Sequence, residues 1–231
     1  PVSIRSTKEF TSQKPTEKEK LQKITLLKDP KFFIERFFFI ENKQLQTVPF
    51  IFNLPQQVYY GNRTLFDLIL KSRKEGFSSL VEAIWLHACI AFHNEKAVTM
   101  AQNTDEMKVH RDRIDRYLKT MGGVDSKFEI TLDDDNAKEI YFPKTNSRYW
   151  VGSAGSGTFG RSRDITRFHG TEVAHYKDQN VLTAVLNACV ENAPRVLETT
   201  ANGVGEKFHE LWESAGDSAS NSPWEQHFFG C

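Results

Sequence analysis

The strongest constraint on the fold of this 231-residue chain is an alternation of short apolar runs with segments of helical periodicity. Buried strands are predicted over 65–70, 97–101, 147–151, 165–169 and 195–199, and helices over 78–92, 104–119, 178–190 and 205–215, with Thr104 as a helix N-cap. A hairpin of 127–132 and 139–142 is predicted around the acidic turn 133–136. This alternation predicts an α/β fold in which helices cover both faces of a mostly parallel sheet.

Charge and composition narrow the function classes. Thirty basic and thirty acidic residues cancel, so the chain is not a generic polyanion binder, and nucleic acid could bind only at a local basic patch. The best local stripe is the helix over 104–120. No apolar run is long enough to cross a membrane, and the polar N-terminus does not resemble a signal peptide. Three scattered cysteines predict neither a disulfide framework nor a zinc site, which fits a reducing cytoplasm.

Residues 71–79 (Lys-Ser-Arg-Lys-Glu-Gly-Phe-Ser-Ser) follow the first predicted core strand and precede a helix. Phosphate loops have the pattern G-x-x-x-x-G-K-[ST], and they surround phosphates with backbone N–H groups, a lysine and a hydroxyl. Gly76 and Ser78 are in register with this pattern, whereas Lys71 occupies the first glycine position and Phe77 the lysine position. Because a curled loop brings its two ends to the same oxygens, Lys71 could supply the missing charge. A basic turn without a nucleotide explains the segment alone equally well.

An ATPase also needs a carboxylate that orients the attacking water and a group that organises magnesium, normally an Asp-Glu pair after a neighbouring buried strand. Glu172 occupies the carboxylate position after the strand 165–169, and Thr171 stands where the aspartate is usual. A threonine hydroxyl can hydrogen-bond to a metal-bound water but carries no charge. Taken alone, a glutamate after a strand is more often a solvated loop residue.

Further segments, in the same order along the chain, resemble the motifs of phage large terminases. The match runs from about residue 33 to 215, and its last motif is the most specific. The segments are 53–56 (an adenine-reading glutamine motif), 71–79 (a deviant Walker A loop), 101–103 (a helicase-like motif), 170–174 (a variant Walker B segment), and 198–203 with Phe208 and Trp212 (a coupling motif).

The resemblance implies a three-layer α/β/α P-loop NTPase of the additional-strand, RecA- or helicase-like type. Residues 1–52 would form an N-terminal segment, 53–204 the P-loop core, and 205–231 a helix and linker towards a C-terminal nuclease domain. Since the chain begins without Met and ends at Cys231, we interpret it as part of a longer protein. The implied function is ATP-driven translocation of double-stranded DNA into a procapsid by a homo-oligomeric ring, a pentamer by resemblance. Its partners would be a portal protein and a small terminase subunit, in the host cell cytoplasm.

The resemblance also implies roles for individual residues. Glu172 would orient water, and Arg73 in cis, or Arg161 or Arg163 in trans, would stabilise transition-state charge. Ser78, and Thr171 through water, would hold Mg²⁺. The residues that would bind ATP are Gln56, Gln57, Lys71, Ser72, Lys74, Gly76, Phe77, Ser78 and Ser79. Those of the coupling motif are Thr199, Thr200, Asn202 and Gly203, with Thr200 and Asn202 sensing the γ-phosphate.

Competing interpretations remain open at this point. A helicase-like translocase shares the glutamine and P-loop motifs, and a non-catalytic adaptor with a degenerate P-loop would explain Phe77 and Thr171. Residues 155–160 fit G-x-G-x-x-G, but the helix that a dinucleotide site requires does not follow, so a mobile loop near a neighbouring subunit is favoured. The three aspartates 133–135 favour a turn over a two-metal nuclease site, because consecutive strand residues face opposite ways.

Overall fold

A computed structural model describes residues 27–121, 131–132 (backbone only), 139–156 and 164–230. Its helices are α1 (Pro30–Phe37), α2 (Leu54–Asn62), α3 (Phe77–Ala91), α4 (Thr104–Met121), α5 (Gln179–Asn187) and α6 (Lys207–Gly216). Its strands are β1 (Phe39–Glu41), β2 (Thr47–Pro49), β3 (Phe66–Lys71), β4 (Lys96–Ala101), β5 (Thr131–Leu132), β6 (Glu139–Phe142), β7 (Ser147–Ser153), β8 (Arg167–Thr171), β9 (Arg195–Thr199) and β10 (Glu225–Phe229). Short 3₁₀ turns span Ala154–Ser156 and Val173–His175.

The central sheet has the strand order β10-β3-β9-β8-β4-β7-β6-β5 within the described residues. The strands from β10 to β7 run parallel to one another, whereas β6 is antiparallel to β7 and β5 to β6. Strand β9 lies between β3 and β8. The strand before Glu172 is therefore separated by one strand from the strand that ends in Lys71, whereas the sequence predicted that these two strands would be neighbours. This inserted strand is the additional strand that the resemblance implied.

Both faces of the sheet are covered, because successive side chains along a strand point to opposite faces. Ile69 and Val196 pack in a core with α1, α2, α3 and α4, while their neighbours Leu68 and Leu197 pack in a second core with α5 and α6. A sheet buried on both sides explains why its parallel strands are short continuous apolar runs. The predicted mostly parallel α/β/α fold is confirmed.

The structure differs from the sequence-based expectation at several element boundaries. Asn103, not Thr104, caps α4, because its Oδ1 accepts hydrogen bonds from the backbone N–H groups of Asp105 and Glu106. Strand β8 begins two residues later than expected, since Ile165 forms only an isolated bridge. The hairpin pairing of β5 with β6 is present, and its acidic turn lies outside the described residues, as does the polar arm 1–23.

The expected linker at 205–231 is wrong for 225–229, which forms the edge strand β10. Its polar anchor is Asp67, which is 1% exposed on β3. The Asp67 carboxylate accepts hydrogen bonds from Tyr59 Oη (2.9 Å), His227 Nε2 (3.0 Å) and Thr64. Burial raises the pKa of Asp67, but the bonds from His227 and Thr64 outweigh it, and the net pKa is lowered. Sequence periodicity does not reveal this strand because a carboxylate, rather than an apolar run, helps to hold it.

We expect Asp67→Asn to destabilise the fold by about 2 kcal/mol at pH 7, since it removes the charged acceptor of several buried hydrogen bonds. Because the folded pKa lies below the unfolded one, the carboxylate stabilises the protein above pH 4 or so and loses this contribution as pH falls through its folded pKa. Urea unfolding at pH 7 and pH 3 measures both effects. The exposed Asp112→Asn is the control. Equal losses for both variants would contradict an anchoring role for Asp67.

The two cysteines in the described part of the chain are unpaired thiols. Cys89 is buried in α3 and Cys189 is half-buried. Burial raises the pKa of both thiols, so neither forms the reactive thiolate easily. Among the described helices, none combines the length and apolar character needed to cross a bilayer.

Candidate nucleotide site

The candidate site lies where β3, β8 and β9 end at one edge of the sheet, beside the start of α3. Lys71 is the last residue of β3 and is 9% exposed. Its Nζ is 3.0 Å from Glu172 Oε1 and 3.8 Å from Glu198 Oε2. Burial lowers the pKa of Lys71, but the two carboxylates raise it by more than burial lowers it. The net pKa is raised, so the lysine is charged. One cation and two anions therefore meet at the carboxyl edge of a parallel sheet.

The loop between β3 and α3 turns into the helix through two residues with left-handed backbone. Gly76 is the N-cap of the helix with φ 79°, and Lys74 also lies in the left-handed region with φ 68°. The positive φ favours glycine at position 76, and a Cβ there would lie 2.8 Å from the Gln56 side-chain nitrogen and would displace that amide. The first amides of α3 have no carbonyl partner within the helix, and with the helix dipole they favour an anion at this end.

Glu172 follows β8 in a left-handed conformation (φ 52°, ψ 45°), which is uncommon for a residue with a side chain. Its Oε2 accepts hydrogen bonds of 3.0 Å from both the backbone N–H and the hydroxyl of Thr200. Burial raises the pKa of Glu172, but the Thr200 amide and Lys71 lower it by more than burial raises it. The net pKa is lowered, so the carboxylate is ionised at neutral pH. Strained backbone that the surroundings hold in place is common at functional sites.

A second carboxylate lies beneath the first. Glu198 and His169 are fully buried, with Glu198 Oε1 3.1 Å from His169 Nε2. Because an ionised carboxylate only accepts, Nε2 carries the proton, and Nδ1 faces the Thr99 hydroxyl at 3.4 Å. Burial raises the pKa of Glu198, but His169 and Lys71 outweigh it and the pKa falls to about 2. The nearby Ser78 hydroxyl contributes to this lowering, although Glu198 Oε2 has no hydrogen-bond partner in the described structure.

Two cavities flank the loop, and Lys74 lines both. The first, of about 340 Å³, is lined by Lys71, Arg73, Lys74, Gln102, Glu106, Glu172, His175 and Thr200. The second, of about 330 Å³, lies on the side of Asn53, Gln56, Ser79 and Tyr117. A phosphate chain across the loop could thus have its terminal phosphate beside Lys71 and Glu172 and its base on the other side.

Solved structures with this arrangement of strands are known. The ATPase domain of the Thermus phage P74-26 large terminase superposes with a TM-score of 0.65 at 13% identity, over 77% of this chain and 80% of that one. The HK97 bacteriophage large terminase superposes with a TM-score of 0.66 at 15% identity, over 87% of this chain but 43% of that one. This chain has the fold of phage large terminase ATPase domains.

A DEAD box protein from the hyperthermophile Methanococcus jannaschii is also similar, with a TM-score of 0.51 at 13% identity over 87% of this chain and 53% of that one. No protein-family model matches the sequence, and no curated protein matches it significantly. The terminase-like fold is therefore established by three-dimensional similarity, and this chain spans less than half of the HK97 protein.

The glutamine of the terminase-like motif is part of the loop's support. Gln56 is 3% exposed, its Oε1 accepts from the Asn53 N–H at 3.0 Å, and its Nε2 donates to the Gly76 carbonyl at 2.9 Å. Gln57 is exposed, and its Nε2 donates to the Phe52 carbonyl at 2.8 Å. Both side chains bind the protein itself here, so their contact with adenine stays a prediction.

Phe77 and Ser72, two of the residues predicted to bind ATP, contact other residues of the protein instead. The Phe77 side chain is 1% exposed and packs on Tyr59 and Phe229, with ring centroids 5.9 and 4.5 Å apart, so it can offer a phosphate only its backbone N–H. The Ser72 N–H donates to the Phe229 carbonyl at 2.9 Å, and its hydroxyl donates to Glu75. Ser78 and Ser79 lie in the first turn of α3, where a ligand of a bound phosphate is expected.

The predicted coupling residues bind the turn that contains Glu172. Thr199 Oγ1 accepts from the Ala174 N–H, and Asn202 Nδ2 donates to the Ala174 carbonyl at 2.8 Å. Thr200 lines both the cleft beside Lys71 and a small cavity that Asn202 and Gly203 line with Phe208 and Trp212. The prediction that Thr200 and Asn202 sense the γ-phosphate stays a prediction, and of the two only Thr200 lines the cleft beside Lys71. Arg161 and Arg163 lie outside the described residues, as do 133–135 and 157–160.

Sequence reasoning placed Glu198 at the start of the coupling motif but gave it no role at the site. Its signal is an acidic residue within an otherwise apolar strand, Val196-Leu197-Glu198, where an unpaired buried carboxylate would be costly. Such a residue must have partners, and those partners turned out to be His169 and Lys71. His169 is itself fully buried within β8.

Proposed function

We propose that this chain is the ATP-hydrolysing motor domain of a phage terminase large subunit, which drives double-stranded DNA into a procapsid. The observation that carries the proposal is the 3.0 Å contact between Lys71 and Glu172 in a cleft beside the start of α3. A lysine for phosphate and a carboxylate for water, on opposite sides of an additional strand, are the two groups that phosphoryl transfer to water requires.

When a nucleotide binds at this site, its phosphate replaces a carboxylate as the partner of Lys71. The terminal phosphate of ATP competes with Glu172 for Lys71, while Arg73, Lys74 and the first amides of α3 supply further positive potential. Oxygen ligands suit Mg²⁺, and the hydroxyls of Ser78 and Thr171, with the Glu198 carboxylate oxygen that accepts no hydrogen bond in the described structure, fit that preference. When bound, Mg²⁺ neutralises charge on the β- and γ-phosphates.

Hydrolysis follows from the position of Glu172. Once Lys71 contacts phosphate, the carboxylate is free to orient a water and accept its proton as the water oxygen bonds to the γ-phosphorus. The bond to the bridging oxygen breaks, and ADP and phosphate leave. Lys71 and Arg73 stabilise the transition-state charge from within the chain, and Arg161 or Arg163 of a ring neighbour could add an arginine finger in trans. Thr200 keeps the carboxylate aligned through two hydrogen bonds.

The DNA-contacting surface is not assigned to α4, the most basic local stripe. Four of its five lysines and arginines are paired within the protein: Arg113 with buried Glu82 (2.7 Å), Arg111 with Asp115 (3.0 Å), Lys108 with Asp105 (3.3 Å) and Arg116 with Glu41 (3.7 Å). A helix whose charges are compensated in this way is poorly suited to bind phosphates. The proposal includes contact with DNA and assembly into a homo-oligomeric ring. It also includes a portal protein and a small subunit as partners. The terminase-like fold is what supports these parts.

A helicase-like translocase is the second candidate, favoured by the similarity to the DEAD box protein. The two proposals differ in which nucleic acid stimulates turnover. Stimulation by double-stranded DNA supports the packaging motor, and stimulation by single strands alone supports the helicase. A domain that binds nucleotide with no turnover under any of these conditions would instead be an adaptor.

We expect Lys71→Ala to weaken equilibrium binding of ATPγS by about 10- to 100-fold, because it removes one charged hydrogen bond to phosphate, worth about 1.5–3 kcal/mol. Fluorescence titration with a labelled analogue measures it. The exposed Lys28→Ala is the matched control and should bind as the wild type does. Unchanged affinity in Lys71→Ala would show that the lysine is not the phosphate ligand and would remove the main support for the proposed function.

A further inference from the structure

The site lacks one charge that a magnesium-dependent ATPase normally has. The residue before the water-orienting carboxylate is usually an aspartate, and here it is Thr171, which is 2% exposed on the last position of β8. The cleft is lined by three cations, Lys71, Arg73 and Lys74, and by two carboxylates, Glu106 and Glu172, so no excess of negative charge replaces the missing aspartate. If Mg²⁺ binds, its charge must be balanced by another group in the chain.

Strand pairing brings such a group next to Thr171. Strands β8 and β9 are parallel, and Thr171 is directly opposite Glu198 in their register. Side chains opposite one another in a sheet project from the same face, so Glu198 lies on the same side as Thr171, under the phosphate loop. Lys71 on β3 is the next group across the sheet, with its Nζ 3.8 Å from Glu198 Oε2.

The two oxygens of Glu198 have different environments. Oε1 is held by His169 at 3.1 Å, whereas Oε2 is buried without any hydrogen-bond partner in the part of the chain that the structure describes. A fully buried carboxylate oxygen without a hydrogen bond is costly unless something binds it. Ser78, the predicted magnesium ligand, is near enough to Glu198 for its hydroxyl to lower the pKa of that carboxyl.

We propose that Glu198 supplies, from the neighbouring strand, the negative charge that an aspartate at position 171 would otherwise contribute to the environment of nucleotide-bound Mg²⁺. His169 is a positioning residue, which holds Oε1 so that Oε2 faces Ser78 and Lys71. This inference rests on the proposed function, and it removes one of the two reasons for regarding the site as degenerate. The other reason, Phe77 in the lysine position, is met by Lys71.

A purely structural role for Glu198 predicts different results in nucleotide-binding measurements. If its task were only to hold Lys71, its loss would weaken nucleotide binding equally with and without Mg²⁺, and an aspartate at 171 would not restore that binding selectively. The two roles are therefore separated by the ratio of affinities in Mg²⁺ and in EDTA, and by rescue.

The experiment measures ATPγS affinity in Mg²⁺ and in EDTA for the wild type, Glu198→Gln, Thr171→Asp and the double variant. We expect Glu198→Gln to reduce the Mg²⁺/EDTA affinity ratio by about 10- to 100-fold, the range found when an outer-sphere partner of a metal is lost. The double variant should regain most of that ratio. Binding of Mn²⁺ in the presence of ATPγS, followed by electron paramagnetic resonance, should change in parallel. Circular dichroism and thermal unfolding establish that each variant is folded.

Each result either supports or overturns the inference. A preserved ratio in Glu198→Gln, or equal weakening in Mg²⁺ and EDTA with no rescue, overturns it while leaving the proposed function intact. A wild type whose ATPγS affinity is independent of Mg²⁺ overturns both. Should Glu198→Gln not fold, Thr171→Asp alone decides: an unchanged ratio supports a site that already has its charge, and a tenfold gain shows that the charge was missing.

Discussion

Glu172→Gln should lower ATP turnover by about 10²–10⁴-fold while leaving ATP affinity unchanged or higher, the loss typical for a general base. Glutamine keeps an oxygen for the two hydrogen bonds from Thr200, so the shape of the site is preserved. It cannot accept the proton of the attacking water, and it no longer holds Lys71 in an ion pair. Lys71 is then more available for phosphate, which is why binding should not weaken. Phosphate release under saturating ATP measures turnover, and ATPγS titration measures affinity.

The matched control is Glu191→Gln, an exposed position in the segment between α5 and β9. Wild-type turnover is measured first with double-stranded DNA and at high protein concentration, because an arginine finger in trans requires neighbouring subunits. Turnover of Glu172→Gln within threefold of the wild type, or a parallel loss of affinity and turnover, would remove Glu172 from the role of water-orienting carboxylate.

Phe77→Lys, which restores the usual P-loop lysine position, should destabilise the protein instead of improving nucleotide binding. The Phe77 ring is buried between Tyr59 and Phe229, and loss of a buried phenylalanine costs about 3–5 kcal/mol. Burial of an ammonium group adds to this cost. For a chain of this size the thermal midpoint should fall by about 10 °C or more. ATPγS affinity should not rise, because the new side chain faces the core and the phosphate cleft already has Lys71.

Phe228→Lys is the matched control, since it makes the same change at an exposed position of β10. It should leave the thermal midpoint nearly unchanged. Normal stability of Phe77→Lys together with tighter nucleotide binding would mean that the ring leaves the core easily and that the lysine position is merely vacant in this chain. Lys71 would then not be the main phosphate ligand.

The sequence predicted the architecture because its strongest signals are local. Continuous apolar runs located β3, β4 and β9, and the fold resemblance to phage large terminases is confirmed by the solved structures. The pairing of Lys71 with Glu172 could be anticipated only through the order of motifs, because no local rule brings together residues 101 positions apart. The roles given to individual site residues stay predictions.

Other features depend on pairings that no local pattern contains. The sequence shows only that Glu198 is an acidic residue in a strand. Its position opposite Thr171 follows from the register of β8 and β9, which the sequence does not reveal. Strand β10 has no apolar periodicity of its own, and its place beside β3 depends on Asp67, His227 and the packing of Phe229 on Phe77. Gln56 was assigned to adenine by its motif, yet its amide also fits the carbonyl of Gly76, which only the folded loop reveals.

The carboxylate of Glu172 is attached to the chain at two places, through its own backbone and through the amide and hydroxyl of Thr200. Three residues after Thr200, Gly203 begins the short segment that leads to α6, and the Asn202 side chain donates a hydrogen bond to Ala174 in the turn that contains Glu172. A movement of that carboxylate by even an ångström cannot leave Thr200 where it was. Under the proposed function, we expect loss of the terminal phosphate to be transmitted to the start of α6, which packs on the opposite face of the sheet from α3.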